Sequence, residues 1–300
     1  MDALIELRTL VARLARRTPP APGLPRLKWA RATRPDVPVN VMAQATLAVV
    51  VQGAKRTVVG ARALDTGTGD MVITSIDTPV TTQVTRATAR EPYLGVGLEI
   101  RPTVVASLLL DHAEPRRRTS SAAEPRSRGT PLAIASTRAP EDLLDAFRRY
   151  LRLLDEPQDI PVLGEAIERE ILWRAMQSPQ GVALRDTGIA SSNLMLVRRA
   201  IAVLQERFVE PLQIPELARA AHMSLASFHR HFRKVTAMSP LQFQKRLRLQ
   251  EARSRLLADA VDVTSVSLAV GYRSPSQFSR EYRREFGLPP AEEAARWRAR

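Results

Sequence analysis

Apolar and polar positions follow two rhythms along this chain, and the change of rhythm divides it. The opening MDALIELRTLVARLARR sets Leu4, Leu7, Leu10, Val11 and Leu14 at helical spacing and predicts an amphipathic packing helix. From about residue 40 to 110 the rhythm is that of strands. TLAVVVQGAKRTVVGARAL, GTGDMVITSIDTPVTTQVTRA and PYLGVGLEI are rich in β-branched residues and are broken by Gly53, Gly60 and Pro79. Turn signals every ten or so residues predict a small sheet or barrel. The stretch HAEPRRRTSSAAEPRSRGT (112–130) has no apolar period and reads as a mobile surface loop. From residue 140 the period is helical. PEDLLDAFRRYLRLLDEP places Leu143, Leu144, Phe147, Leu151 and Leu154 on one face, with acids in the first turn and Pro157 as its stop. IPVLGEAIEREILWRAMQ and SSNLMLVRRAIAVLQERF continue as helices, the latter with Ser192 or Asn193 as N-cap. The helices of 140–177 are expected to pack on the sheet or on a second subunit. Glu168 and Glu170, two apart, cannot share a face as an acid/base pair.

The last third repeats itself. SLASFHRHFRK from Ser224 and SPSQFSREYRR from Ser274 match at an offset of 50: Ser224 with Ser274, Phe228 with Phe278, Arg230 with Arg280, Phe232 with Tyr282, Arg233 with Arg283. A short helical segment precedes each, IPELARAAHM and VTSVSLAVGY, so each copy reads helix, tight turn, helix. Ser224 and Ser274 are natural N-caps, and Gly271 and His222 fall in the turns, where left-handed backbone is common. At about 100° per residue, Leu225, Phe228, Phe232 and Val235 form a core stripe, and Ala226, Arg230 and Arg233 face the other way. His229 and His231 fall on opposite flanks, roughly 160° apart, so they cannot chelate one ion, which needs i and i+4. In the second copy Phe278 and Tyr282 face inward, Ser276, Arg280 and Arg283 outward, with Gln277 and Ser279 flanking.

An outward strip of small, hydroxyl, amide and Arg side chains suits a DNA major groove. Arg pairs with guanine, Gln with adenine, and a small residue lets the backbone approach or meets a thymine methyl. One such strip would be an ordinary solvated face; two at fixed spacing favour DNA. The candidate contacts are Ala226, Ser227, His229, Arg230, Arg233 and Lys234 in the first copy, and Ser276, Gln277, Ser279, Arg280, Arg283 and Arg284 in the second. Between the copies, SPLQFQKRLRLQEARSRLLAD is capped by Ser239 with Pro240 in its first turn. Its residues 241–258 span about 27 Å as a helix, enough to set two recognition helices one DNA turn apart. Lys245, Arg246, Arg248 and Arg253 on it are expected to touch phosphates or stay solvated.

Charge sharpens this division. The net charge is +14 over 300 residues, and residues 194–300 hold 19 Lys/Arg against 10 Asp/Glu, a net of +9. A basic terminal domain favours a polyanion partner, although 41 of the 45 basic residues are Arg, so composition alone decides little. The chain has no cysteine, which removes disulfides, thiolate ligands and cysteine nucleophiles and suits a reducing cytoplasm. The amino terminus lacks the apolar core of a signal peptide, and the longest uncharged apolar run, about 41–54, is too short and polar to cross a bilayer.

LARAAHMSLASFHRHFRKVTAMSPLQFQKRLRLQEAR and VGYRSPSQFSREYRREFGLPP closely resemble the AraC family of bacterial transcription regulators, over about residues 194–297. His222 stands where that family more often has Gly, and Ala226 where some members carry a bulky base-contacting residue. VVVQGAKRTVVG, SIDTPVTTQVTRATAREPYLGVGLEI, LLDAFRRYLRLLDEPQDIPVLGEAIEREILWRAM and GVALR resemble the cupin-like N-terminal region of AraC-type regulators, over roughly 24–185. The resemblance implies an α+β protein: a small cupin-like β-barrel with packed helices, then an all-α double helix-turn-helix domain. The expected domains are 1–185, for sensing or dimerisation, and 194–300, for DNA binding. The latter holds helix-turn-helix units at about 212–236 and 262–287, joined by a helix at about 239–258.

The implied partners are double-stranded promoter or operator DNA, RNA polymerase if the protein activates, a small-molecule effector at the N-terminal domain, and a second copy of the chain. No catalytic residue, metal, cofactor or membrane is called for, and the implied location is the bacterial cytoplasm, at the nucleoid. The competing readings are a cupin-type binding protein or enzyme with a basic nucleic-acid-binding tail, and a non-specific nucleic-acid-packaging protein. The first lacks histidine ligands, since the barrel stretch holds only His112 near its end. The second would spread its charge along tails.

Overall fold

Period-two alternation builds the first half. The computed structural model describes residues 3–16, 24–112, 132–258 and 262–298. Helix α1 (Ala3–Leu14) precedes the strands β1 (Leu27–Ala32), β2 (Val39–Ala43), β3 (Thr46–Gln52), β4 (Ala54–Val59), β5 (Arg62–Gly67), β6 (Asp70–Thr74), β7 (Thr78–Arg86) and β8 (Tyr93–Glu99). Helix α2 (Pro102–Asp111) and strand β9 (Ile134–Arg138) follow. The loop expected at 112–130 lies, beyond His112, outside the described residues. The strands form two antiparallel sheets, ordered β1-β8-β3-β6-β9 and β2-β7-β4-β5.

The central strands β3 and β8 of the larger sheet divide their residues between two surroundings. Leu47, Val49 and Val51 of β3 and Leu94, Val96 and Leu98 of β8 pack against a helical layer. The intervening Ala48, Val50, Tyr93, Gly95 and Gly97 turn to the space between the sheets. The helical layer is α1, α2, α3 (Glu141–Arg152), α4 (Ile160–Gln177) and α5 (Gly181–Thr187), so the helices of 140–177 pack on the sheet of their own chain. Glu168 of α4 is buried, accepting from Arg26 in a bidentate pair at 2.9 and 3.0 Å, from Arg101 at 3.2 Å and from the Tyr150 hydroxyl at 2.5 Å. A buried carboxylate is tolerable only with such partners. Glu170 points elsewhere, to Arg149 at 2.7 Å.

The second half is helical: α6 (Asn193–Glu206), α7 (Ile214–Ala220), α8 (Leu225–Thr236), α9 (Pro240–Ala258), α10 (Val263–Ala269), α11 (Pro275–Phe286) and α12 (Pro290–Arg298). Ser192 caps α6, accepting from the Met195 N–H. Phe228, Phe232 and Val235 are buried as the wheel requires, but Leu225 is 50% exposed. It is the first residue after the Ser224 cap, and the apolar stripe begins one turn later.

Two cores serve these helices. Phe278, Tyr282, Tyr272 and Val266 belong to one with α9 and α12. Phe228, Phe232, Val235 and Phe243 belong to another that also takes in Val59, Ile76, Val80, Ala133 and Ile134 from the strand region. The first helix-turn-helix unit is thus packed into the sheets, and the Ala133 N–H donates to Val235 O at 2.9 Å.

Candidate nucleic-acid interface

Both recognition helices are built by the same local chemistry. The Ser227 N–H donates to Ser224 Oγ, and the Gln277 N–H to Ser274 Oγ, each at 3.3 Å, satisfying a donor that the helix start leaves free. In the turns, His222 (φ 50°) and Gly271 (φ 87°) take the left-handed conformation. The following N–H groups, of Met223 and Tyr272, close back to Ala218 O and Ser267 O, a Schellman-type end for α7 and α10. The lead helices therefore align at an offset of 49 and the recognition helices at 50. The second turn carries one more residue, Arg273, than the first.

Of the residues read as DNA contacts, Ala226, His229, Arg230, Arg233 and Lys234 on α8 are exposed, as are Ser276, Gln277, Arg280, Arg283 and Arg284 on α11. Ser227 and Ser279 are half-buried on the flanks. Gln277 directs its amide nitrogen to Glu281 Oε1 at 3.1 Å. His231 is half-buried beside Arg230 and Lys234, and burial first, then these cations, lower its pKa. Among the described residues no group of three or more His, Asp or Glu gathers as a metal site. His112, distant in sequence from the other histidines, stacks on Trp173 at 4.0 Å.

The basic residues of α9 do something else than expected. Lys245 pairs with Glu281 at 2.8 Å, Arg246 with Glu285 at 3.4 Å and Arg253 with Glu293 at 2.5 Å, while Arg253 also lies over Phe286. Arg248 donates to the carbonyls of Phe208, Val209 and Glu210 and to that of Gly271. These four side chains are half-buried braces. A wheel places charges on a face but cannot say that α11 and α12 will bring acids to that face. The braces fix the second unit relative to α9, and Glu281 gathers Lys245, Gln277 and the Tyr272 hydroxyl. Burial raises the Glu281 pKa, but these three donors outweigh it and hold the carboxyl below its ordinary value.

A concavity of about 270 Å³ lies between the two sheets, lined mainly by apolar side chains including Trp29, Val41, Val50, Val72, Val80 and Ile134. Lysines, threonines, Gln44 and Tyr93 interrupt it, and three of these stand out. Burial lowers the Lys55 pKa against the opposing pull of Asp36, burial raises that of Tyr93 to about 12, and Thr82 Oγ1 is buried with no hydrogen-bond partner among the described residues. Sequence reading missed this set, because Lys55, Thr82 and Tyr93 stand on three strands that only sheet pairing brings together.

The family model for the AraC-type transcriptional regulator N-terminus matches residues 23–183, more than half of the chain. The chain belongs to the AraC-type transcriptional regulator family. A helix-turn-helix domain model matches residues 217–296. AraC-type relatives include the RCS-specific HTH-type transcriptional activator RclR of Escherichia coli, 38% identical over 103 residues that are 33% of this chain and 36% of RclR. The HTH-type transcriptional activator RhaS of Escherichia fergusonii is 28% identical over 158 residues, 52% of this chain and 55% of RhaS. The matched part thus spans about a third to a half of these curated relatives. Among solved structures, ToxT from Vibrio cholerae with bound unsaturated fatty acid has a similar fold. Its TM-score is 0.53 at 10% identity, covering 89% of this chain and 94% of ToxT.

Proposed function

We propose that this AraC-type chain is a sequence-specific double-stranded DNA-binding transcription regulator, with α8 and α11 entering successive major grooves. The observation that carries the reading is the duplicated, serine-capped helix with one outward strip. Arg230 and Arg280 occupy the same place in the two copies, and both are exposed. Ala226, Ser227, His229, Arg233 and Lys234, with Ser276, Gln277, Ser279, Arg283 and Arg284, complete the proposed contact set. On this reading residues 194–300 bind DNA and 1–185 sense or dimerise, in the bacterial cytoplasm at the nucleoid, with RNA polymerase a partner if the protein activates.

The inter-sheet cavity is the proposed effector site. It suits a small molecule with an apolar body and a group that Lys55, Tyr93 or Thr82 can hydrogen-bond, and ToxT, of similar fold, is described with an unsaturated fatty acid bound. Val80 and Ile134 line the cavity and also belong to the core behind Phe228, Phe232 and Val235 of α8, so an occupant that moves them moves the first recognition helix.

Arg230→Ala and Arg280→Ala are each expected to cost roughly 1–3 kcal/mol on a duplex selected by the full chain from a random pool, with specificity relaxed at one position. Binding titrations against selected and random duplexes check this. Equal losses on both would contradict direct base readout.

A further inference from the structure

We propose that the N-terminal domain itself holds the DNA backbone, through Arg62 at the tip of the β4–β5 hairpin. This rests on the reading of α8 as a DNA-reading helix. The hairpin turns through Gly60 and Ala61, with Gly60 at φ +59°, the positive angle that a two-residue hairpin turn needs at its first position. The tip is seated on the end of α8. A Cβ at Gly60 would stand 2.3 Å from Ala237 O, so only glycine allows this approach, and Val59 beside it lies in the core with Phe228 and Phe232. Arg62 is therefore presented from a fixed support.

Ala61 and Arg62 form one wall of an open concavity of about 420 Å³, whose other wall is Arg230, Arg233, Lys234 and Ala237. Its four cationic side chains are exposed, and among the described residues none is in an ion pair. The hairpin's other arginine, Arg56, is neutralised by Asp65 at 2.6 Å. Four like charges around one hollow repel one another unless a polyanion covers them. A duplex carries one negative charge per about 1.7 Å of axis, which suits an open, multiply cationic surface better than a single small anion does. With Arg230 directed at the bases, Arg233 and Lys234 lie at the flank of the groove, where the phosphates run, and Arg62 extends that row from a different domain.

The test is binding of the full chain to a pool-selected duplex and to a random duplex over a range of salt. Arg62→Ala is expected to weaken both by the same factor and to lower the log–log salt slope by about one. On going from about 0.2 to 0.05 M salt, the parent chain should gain roughly threefold more affinity than the variant. Arg62→Lys should retain the slope, and Arg8→Ala, an equal change of charge on α1, should leave it unchanged. An unchanged slope for Arg62→Ala overturns the proposal, as does tighter binding, which would make the hairpin an obstruction. If Arg62→Ala is silent while Arg230→Ala relaxes specificity, the proposal falls and the DNA reading stands. If Arg230→Ala is silent on both duplexes, the DNA reading falls and takes this proposal with it.

Discussion

His222 and Ala237 hold left-handed backbone (φ 50° and 56°) at places where the second unit has Gly271 and Gly287. A non-glycine residue there costs roughly 1–2 kcal/mol. His222→Gly is therefore expected to stabilise the chain by about 1 kcal/mol in denaturant unfolding, and to leave DNA affinity unchanged because the turn lies off the outward strip. The histidines that crowd residues 222–231 thus divide by geometry: one in a turn, one exposed on the strip's flank, one half-buried. Residue type and spacing alone were enough to identify Ser224, Ser274 and the turn residues, because caps and positive φ angles are satisfied within a few residues of the chain.

At the scale of the element, α11 depends on Glu281. Its folded-state pKa lies below the unfolded value, so its bonds to Lys245, Gln277 and Tyr272 contribute fully at neutral pH. That contribution is lost as pH falls below the unfolded-state value of a glutamate, about 4.3, and through the lower folded-state pKa. Acid unfolding followed by hydrogen exchange should release α11 at higher pH in Glu281→Gln than in the parent, with α8 less affected. The same braces explain where the sequence misled. The helix at α9 was legible from its period and its Ser239 cap, but the use of Lys245, Arg246, Arg248 and Arg253 was not. Their partners stand 23 to 40 residues away, and only packing brings them into reach. Leu225 failed for a related reason: a wheel gives a direction, and burial needs something to lie in that direction.

At the scale of the molecule, the core that holds α8 continues into β7 and β9, whereas the core that holds α11 does not. Ile134→Ala is expected to cost about 2–5 kcal/mol. Native-state hydrogen exchange should show protection lost together in β7, β9 and α8 while α11 keeps its own. Independent loss in the strands alone would contradict a shared core. The sequence by itself determined the two rhythms, strand-like and then helical, the repeated helix pairs and their outward arginines, because periodicity, caps and turn conformations are local properties. The tertiary structure alone decided the pairing of the described strands into two sheets around a cavity, the conversion of four basic residues into braces, and the seating of Gly60 against Ala237 that sets Arg62 beside Arg230. Each of these joins residues distant in the chain, and the free energy that fixes them comes from burial and charge pairing between elements, which no single stretch of sequence contains.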